Sequence, residues 1–251
     1  MLRIYFLQQW YGLADEALED AIYDSQAMRD FVGIDLSIES VPDATTLLRF
    51  RHLLERHSLT QRIFEEINAS LAERGLFMRE GTIVDATIIA AAPSTKNKAK
   101  QRDPAMKQTR KGNQWYFGMK AHIGVDAATG LTHSLVATSA NQADITVAEQ
   151  LLRDDKEPIY ADAGYTGLGK RLCGDDDTLP PLRIAARRST IKKMEDGPEK
   201  QILQRIEHCK ASIRAKVEHP FHVIKNLFGH RKVRYRGMEK NQAQLFSLFA
   251  L

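Results

Sequence analysis

The sequence predicts an α/β protein in which an all-helical N-terminal region precedes a mixed sheet flanked by helices. Apolar residues recur at helical spacing up to about residue 76, whereas short β-branched segments bounded by turn residues begin at Gly81. A chain of 251 residues suits one large domain or two modest ones. We therefore expect a helical domain at 1–76 and an α/β domain at 77–251.

The N-terminal region is predicted to contain four helices. Apolar spacing indicates helices at 2–11, 14–31 and 60–75, and Pro42-Asp43 opens another, with Asp43 as its N-cap. These helices could form a helix-turn-helix that reads DNA, a plain bundle or a dimerisation platform, and the sequence leaves the three open. The residues that would read DNA are Arg49, Arg51, His52 and Arg56.

The second region alternates between strand and helix patterns. Its predicted strands lie at 81–89, 116–126, 131–139, 158–162 and 182–186, and its helices at 144–152 and 199–228. The basic segment 93–113 has few large apolar residues and is predicted to be a mobile loop. This order of strands and helices matches the ribonuclease H-like arrangement, a mixed sheet with helices on its faces.

Two aspartates lie within or at the end of strands that are predicted to be buried. Asp85 interrupts the first apolar strand, and a carboxylate there is costly unless something compensates it. Asp162 ends the fourth predicted strand, just before a glycine turn, where open α/β sheets place functional groups. These strands would be neighbours in a ribonuclease H-like sheet. Because close carboxylates repel each other, the pair predicts an oxygen-ligated Mg²⁺ or Mn²⁺ ion.

The third candidate acid is Glu218, on the long C-terminal helix. Arg214 and Lys225 fall on the same helical face. On helix geometry alone, an ordinary solvated Arg–Glu pair is the better interpretation. Pro220 is expected to kink or interrupt the helix near Glu218. A second face of this helix is apolar and predicted to pack on the sheet, with Ile206, Ile213, Val217, Ile224 and Phe228.

Charge is distributed unevenly along the chain. The net charge is only +4, yet the first forty residues are acidic and three later clusters are basic. The clusters contain Lys96, Lys98, Lys100, Arg102, Lys107, Arg110 and Lys111, then Arg183, Arg187, Arg188, Lys192 and Lys193, and finally Arg231, Lys232, Arg234 and Arg236. Any one cluster could be a solvated loop, but three together favour a nucleic-acid partner.

Several other classes of protein are disfavoured. No apolar run is long enough to span a bilayer, and the N-terminus lacks the pattern of a signal peptide, so we expect a cytoplasmic protein without a membrane partner. Cys173 and Cys209 are isolated, and the histidines show no zinc-binding spacing.

Three segments carry a resemblance to a known family: IVDATII, YADAGYTG and IRAKVEHPFHVIKNLFGHRKVRYRGMEKNQAQL. They resemble bacterial insertion-sequence transposases of the DDE type, nearest to the group named after insertion sequence five. The resemblance covers nearly the whole chain. It implies a ribonuclease H-like catalytic core in which Asp85, Asp162 and Glu218 bind two Mg²⁺ ions, for which Mn²⁺ can substitute. It also implies that Arg214 and Lys225 contact DNA phosphates near the cleaved end, whereas Ala211 departs from the tyrosine of the broader superfamily.

The implied function is cleavage of the ends of an insertion sequence and joining of the 3′-hydroxyl to target DNA. The implied partners are terminal inverted repeats, target DNA and a second copy of the chain on that DNA. From the basic clusters we expect further DNA contacts at Lys96, Lys98, Lys100, Arg187, Arg188 and Arg234. Trp115 and Tyr116 could stack on an unpaired base or pack in the core.

Relatives usually extend past both ends, which suggests a shortened copy. A catalytically impaired DNA-binding or regulatory fragment therefore stays open as an alternative. A second alternative is a related metal-dependent nuclease that cuts without joining.

Overall fold

The structure is a computed structural model that describes residues 1–96, 98, 100–153, 157–172 and 179–251. Its helices are α1 Leu2–Tyr11, α2 Asp15–Asp24, α3 Gln26–Val32, α4 Ala44–Arg56, α5 Leu59–Glu73, α6 Leu168–Leu172, α7 Arg188–Lys192, α8 Pro198–Arg214, α9 Glu218–His222 and α10 Met238–Ala250. Its strands are β1 Thr82–Ala90, β2 Lys107–Lys111, β3 Gln114–Asp126, β4 Thr132–Ser139, β5 Ile159–Ala161 and β6 Leu182–Ile184. The predicted α/β class is confirmed. Cys173 lies outside the described residues.

The N-terminal region contains five helices instead of the four predicted. The helix predicted over 14–31 is broken at Ser25, whose backbone is extended and whose Oγ accepts a hydrogen bond from the Met28 N–H at 3.3 Å. A serine competes with the helix through such local bonds and favours a cap. The predicted N-cap is confirmed, because Asp43 Oδ1 accepts from the Thr46 N–H at 2.7 Å.

The C-terminal helix α10 packs against the N-terminal helices. The hydroxyls of Tyr5 and Ser247 lie 2.8 Å apart, and the rings of Phe64 and Phe246 have centroids 5.7 Å apart. The two ends of the chain therefore share a packed interior. None of the described helices has the length and apolar character needed to cross a membrane.

Within the described residues the sheet has six strands, and β1 lies near its centre. β1 pairs antiparallel with β3 on one side and parallel with β5 on the other, and β5 pairs parallel with β6. The long strand β3 also pairs antiparallel with β2 along residues 114–118 and with β4 along residues 119–125. β1 is thus paired on both sides at Thr82 and Ile83, and with β3 along its whole length.

The segment predicted to be a mobile loop contains a strand, so that prediction was wrong for residues 107–111. β2 forms a hairpin with β3 through a turn at Gly112, where φ is +62°. Apolar periodicity could not reveal β2 because the strand is mostly exposed. Its backbone pairs with β3, and the buried Met106 anchors its start.

Two predicted helices are less regular than expected. The helix expected over 144–152 consists of two short 3-10 helices, Asp144–Thr146 and Ala148–Leu151. The helix expected over 199–228 stops being α-helical at Arg214, passes through a 3-10 turn, resumes as α9 and ends in a π-helical turn, Val223–Leu227. The expected interruption is present, because Pro220 has no backbone N–H for the carbonyl four residues earlier.

The apolar face predicted for this helix is correct only in its second half. Val217 and Ile224 are buried, and Ile213 packs against the core. Ile206 is 46% exposed, so the prediction that it packs on the sheet was wrong. α8 has no buried residue, and its contacts with the sheet edge are polar: Lys210 Nζ donates to the Ile184 carbonyl oxygen at 2.9 Å, and Glu207 accepts from the Ala186 N–H at 2.9 Å.

Candidate active site

Two predicted aspartates lie close together at one end of the sheet, Asp85 on β1 and Asp162 directly after the neighbouring strand β5. Ile83 of β1 is paired with Tyr160 of β5. Asp85 and Asp162 each follow these partners by two residues, and side chains two residues apart point to the same face of a strand. Parallel pairing therefore brings both carboxylates to the same end of the sheet.

Asp85 is the most perturbed carboxyl group of this region. Its pKa is raised to about 6, primarily by burial and further by the nearby Asp162 and Glu218 carboxylates. The Ala86 N–H, which donates to Asp85 Oδ1 at 2.7 Å, and the Arg214 guanidinium act in the opposite direction. Three acids and one cation predicted from the sequence therefore share one electrostatic environment.

The break in the C-terminal helix determines where Glu218 lies. Val217 is buried at the end of the 3-10 turn, and Glu218 begins α9 directly after it. Lys216 Nζ donates to the carbonyl oxygens of Ala127 and Ala128 at 2.7 and 2.9 Å. These contacts anchor the turn to the β3–β4 connection, next to β1.

A cleft of about 560 Å³ adjoins Glu218. Its wall is formed by the residues that follow Asp85 on β1, by the β2–β3 hairpin and by the segment after Glu218. The side chains relevant to an anionic ligand are Lys111, Tyr116, His222, Lys225, Asn226 and Arg231. Three of these are lysine or arginine, and only Glu218 opposes them in the lining.

Lys225 is held at the floor of this cleft. Its Nζ donates to Thr87 Oγ1 at 2.5 Å, and Thr87 stands two residues after Asp85 on the same strand. Burial lowers the pKa of Lys225, the neighbouring Lys111 and Arg231 lower it further, and Glu218 opposes them. A bound anion would offset the repulsion between these three cations.

Three residues near the acids were not singled out as site residues by sequence reasoning, Lys120, Asp144 and Tyr165, whereas His122 was expected near the site in a structural or phosphate-contacting role. Lys120 Nζ lies 2.8 Å from Asp144 Oδ1, and His122 Nδ1 lies 3.7 Å from the same oxygen. Burial lowers the pKa of His122 to about 4, and its Nε2 lies 2.8 Å from Thr138 Oγ1. The sequence signal that could have identified Lys120 is its polar character on a strand, β3, whose other residues are mostly apolar.

The remaining predicted DNA contacts are neither among the charges that act on Asp85 nor in the lining of the cleft. Lys96, Lys98, Lys100, Arg187 and Arg188 are exposed. Arg234 donates to the Gly12 carbonyl oxygen at 2.9 Å, which ties it to the end of α1. None of the six is among the charges that shift the pKa of Asp85.

One proposed DNA-reading residue of the helical region is wrong. Arg51 is buried and hydrogen-bonded to both carboxylate oxygens of Asp15. Its guanidinium also lies 5.5 Å from the ring centre of Tyr235. Arg51 therefore stabilises the helical region, whereas Arg49, His52 and Arg56 are exposed.

The donor set suits a hard divalent cation. Asp85, Asp162 and Glu218 offer only carboxylate oxygens, and a cation would remove the repulsion that raises the pKa of Asp85. Among the described residues, however, no three His, Cys, Asp or Glu side chains are close enough to hold a metal ion. The chemistry of the donors fits the metal, and binding would require the acids to draw together.

Comparison with known families covers most of the chain. The model "Transposase DDE domain" matches residues 76–251. The model "Transposase domain (DUF772)" matches residues 1–53. No solved structure matches the chain significantly.

Proposed function

The chain belongs to the DDE transposase family, and we propose that it cleaves the ends of an insertion sequence and joins the freed 3′-hydroxyl to target DNA. The proposal rests mainly on the proximity of three acids, because the carboxylates of Asp162 and Glu218 both raise the pKa of Asp85. The three sequence segments further support membership of the group named after insertion sequence five.

The strand order supports a ribonuclease H-like core. β4 pairs with β3, and the order then continues through β1 and β5 to β6, with the last three strands parallel. Asp85 is on the central strand of this series and Asp162 follows its neighbour. A mixed sheet of this kind collects residues from distant parts of the chain at one end.

In this proposal Asp85, Asp162 and Glu218 hold two Mg²⁺ ions, or Mn²⁺ in their place. When bound, such ions supply activation of the attacking oxygen and stabilisation of the leaving oxygen in phosphoryl transfer. The three carboxylates act as ligands, not as nucleophiles. Arg214 offsets their negative charge from one side, and its Nε is buried without a hydrogen-bond partner in the described structure.

The cleft beside Glu218 is proposed to receive the strand that is cut. Lys225, Lys111 and Arg231 would contact its phosphates, because charge-assisted bonds to phosphate oxygens fix the register of DNA without reading its sequence. The exposed cations of 96–100, with Arg187 and Arg188, would contact DNA farther from the acids. The partners are terminal inverted repeats, target DNA and a second copy of the chain.

Cleavage and strand-joining assays on inverted-repeat DNA test the proposal. Asp85→Asn, Asp162→Asn and Glu218→Gln should each abolish Mg²⁺-dependent cleavage while largely sparing DNA binding. The matched control is Glu149→Gln, an exposed acid of the second 3-10 helix, which should keep activity. Near-normal cleavage by any one triad variant would remove that residue from the site.

The same assay separates the alternatives. DNA binding by the wild-type chain without any cleavage would contradict the catalytic proposal and indicate a binding or regulatory protein. Hydrolysis without joined product would instead indicate a metal-dependent nuclease.

A further inference from the structure

Thr87 holds the ammonium group of Lys225 in the cleft. Thr87 is only 8% exposed, and its Oγ1 accepts a hydrogen bond from Lys225 Nζ at 2.5 Å. A lysine ammonium is a point charge with three donors on a flexible stem. The bond to a buried hydroxyl therefore fixes this charge in place and leaves two of its donors for a ligand.

Thr87 lies on the same strand as Asp85. The two residues are two positions apart on β1, so their side chains point to the same face, about 7 Å apart along the strand. Thr87 is paired with Ala121 of β3 in the register that also pairs Asp85 with Ile123. The hydrogen bond therefore sets the place of the Lys225 charge relative to the first acid.

Lys225 comes from an irregular part of its helix. It lies in the π-helical turn Val223–Leu227, where the Phe228 N–H donates to the Val223 carbonyl oxygen at 3.0 Å. The preceding Ile224 is buried in the core. Such π-helical turns are rare and occur frequently at functional sites.

A second cation of the cleft is attached to the same strand. The carbonyl oxygen of Arg231 accepts from the Ala90 N–H at the end of β1 at 3.1 Å. The Nε of Arg231 donates to the Lys225 carbonyl oxygen at 3.3 Å. Lys225 is thus attached to β1 through its side chain and Arg231 through its backbone.

Stability alone does not account for this arrangement. Burial and the neighbouring Lys111 and Arg231 lower the pKa of Lys225, so its surroundings disfavour the charged form of the lysine that they hold. The hydroxyl of Thr87 is neutral and supplies no negative charge to balance three cations. A phosphate of DNA supplies that charge and accepts charge-assisted hydrogen bonds.

We propose that Thr87 is a positioning residue whose hydroxyl holds Lys225 so that the ammonium contacts a phosphate beside the one that is cut, at a fixed place relative to Asp85. The inference rests on the proposed function, because it assumes that the cleft receives the cleaved strand. It adds to that function a neutral side chain that acts on the reaction through Lys225.

The test is single-turnover cleavage of inverted-repeat DNA at saturating DNA and Mg²⁺. Thr87→Val removes the hydroxyl and should lower the rate about 10- to 100-fold, because a small displacement of a positioning group has an effect of that size. DNA affinity and its salt dependence, measured in chelator, should stay near wild type because Lys225 keeps its charge. Thr87→Ser keeps the hydroxyl and should restore most of the rate. A wild-type rate in Thr87→Val would overturn the proposal.

A double variant separates positioning from a structural effect. Lys225→Gln should itself slow cleavage, and Thr87→Val should add little in that background, because the two residues act as one unit. An equal loss of rate from Thr87→Val in both backgrounds would show that Thr87 does not act through Lys225, and the proposal would be wrong.

Thr82→Val is the matched control. Thr82 is also buried on β1, at the other end of the strand, and its Oγ1 lies 3.3 Å from His133 Nε2. This variant should cleave DNA at the wild-type rate. The same loss of rate in Thr82→Val as in Thr87→Val would indicate a general effect on the strand and contradict the specific role of Thr87.

Nuclear magnetic resonance of the lysine ammonium groups tests the positioning without cleavage. A hydrogen-bonded, half-buried ammonium exchanges its protons slowly with water, so Lys225 should give a signal that Lys225→Gln removes. Thr87→Val should lose this signal and Thr87→Ser should keep it. Absence of a Lys225 signal in the wild-type chain would overturn the proposal, and this measurement does not require that Thr87→Val folds.

The outcomes distinguish this inference from the proposed function. If the wild-type chain and Thr87→Val cleave DNA equally well, only the inference about Thr87 is wrong. If the wild-type chain binds DNA and does not cleave it, the proposed function is wrong, and the role of Thr87 in the reaction is wrong with it.

Discussion

Asp85 on β1 and Asp162, which directly follows the parallel strand β5, each lie two residues beyond the paired residues Ile83 and Tyr160. They are separated by 76 intervening residues of sequence, yet the shared register brings their carboxylates to one end of the sheet. This arrangement destabilises the chain in the absence of a cation, because burial and the neighbouring acid both disfavour the charged form of Asp85.

Asp85→Asn should therefore stabilise the metal-free protein in a pH-dependent way. The folded pKa of about 6 exceeds the ordinary value of 3.8, so the folded state binds the proton more tightly. Asp85 thus lowers stability increasingly as the pH rises from about 4 to about 6. Asp85→Asn should raise the free energy of unfolding by up to about 3 kcal/mol at pH 7.5 and hardly at all near pH 4.

Thermal unfolding with a chelator at both pH values measures this difference. Asp196→Asn is the control, because Asp196 is exposed and Lys200 lowers its pKa, the opposite direction. An equal shift of melting temperature by Asp85→Asn at both pH values would contradict the stated cause.

Arg51→Ala should destabilise the helical region. Arg51 is buried and bonded to Asp15 and Gln8, so its removal leaves the Asp15 carboxylate without its cation. We expect a loss of about 2–4 kcal/mol in the free energy of unfolding, measured by urea denaturation.

Arg49→Ala provides the comparison from the same helix. Arg49 is exposed, so its replacement should change stability by less than about 0.5 kcal/mol. If α4 contacts DNA, this variant should weaken DNA binding. Equal stability losses for both variants would contradict the structural role assigned to Arg51.

Replacing Lys96, Lys98 and Lys100 with glutamine should flatten the salt dependence of DNA binding. All three are exposed, and each phosphate contact contributes about 0.9 to the slope of log K against log salt. The triple variant should lose about 2–3 units of slope, measured by fluorescence anisotropy. Lys200→Gln, which removes a lysine paired with Asp196, should leave the slope unchanged. An unaltered slope in the triple variant would exclude this segment as a phosphate contact.

Trp115→Ala should weaken binding to DNA that carries an unpaired end. Trp115 is 64% exposed on the β2–β3 hairpin, which excludes the core-packing alternative for this residue. Stacking of a base on an aromatic ring contributes about 1–3 kcal/mol, so affinity for a frayed end should fall more than affinity for a blunt duplex. Equal loss for both DNA ends would argue against stacking.

The control for Trp115 is Trp10→Phe. Trp10 packs against Phe31 with ring centroids 5.5 Å apart, in the helical region. This variant should reduce thermal stability without distinguishing the two DNA ends, and Trp115→Ala should leave the melting temperature nearly unchanged.

Sequence reasoning was most successful where one local pattern determines one element. The first strand, the N-cap at Asp43 and the interruption near Pro220 all follow from side-chain chemistry within a few residues. It failed for β2, because an exposed strand has no apolar alternation to recognise. It also failed for Ile206, because helical periodicity does not show which turns of a helix become buried.

By itself the sequence determined the class of fold, most of its elements and a short set of acids with suitable chemistry. Only the tertiary structure decided the register in which β1 pairs with β5, that Arg51 is bonded to Asp15, and that the Tyr165 hydroxyl is buried without a hydrogen-bond partner among the described residues. The physical reason is distance along the chain. Periodicity and capping act over a few residues, whereas strand register and the burial of a single hydroxyl depend on contacts between segments far apart in sequence.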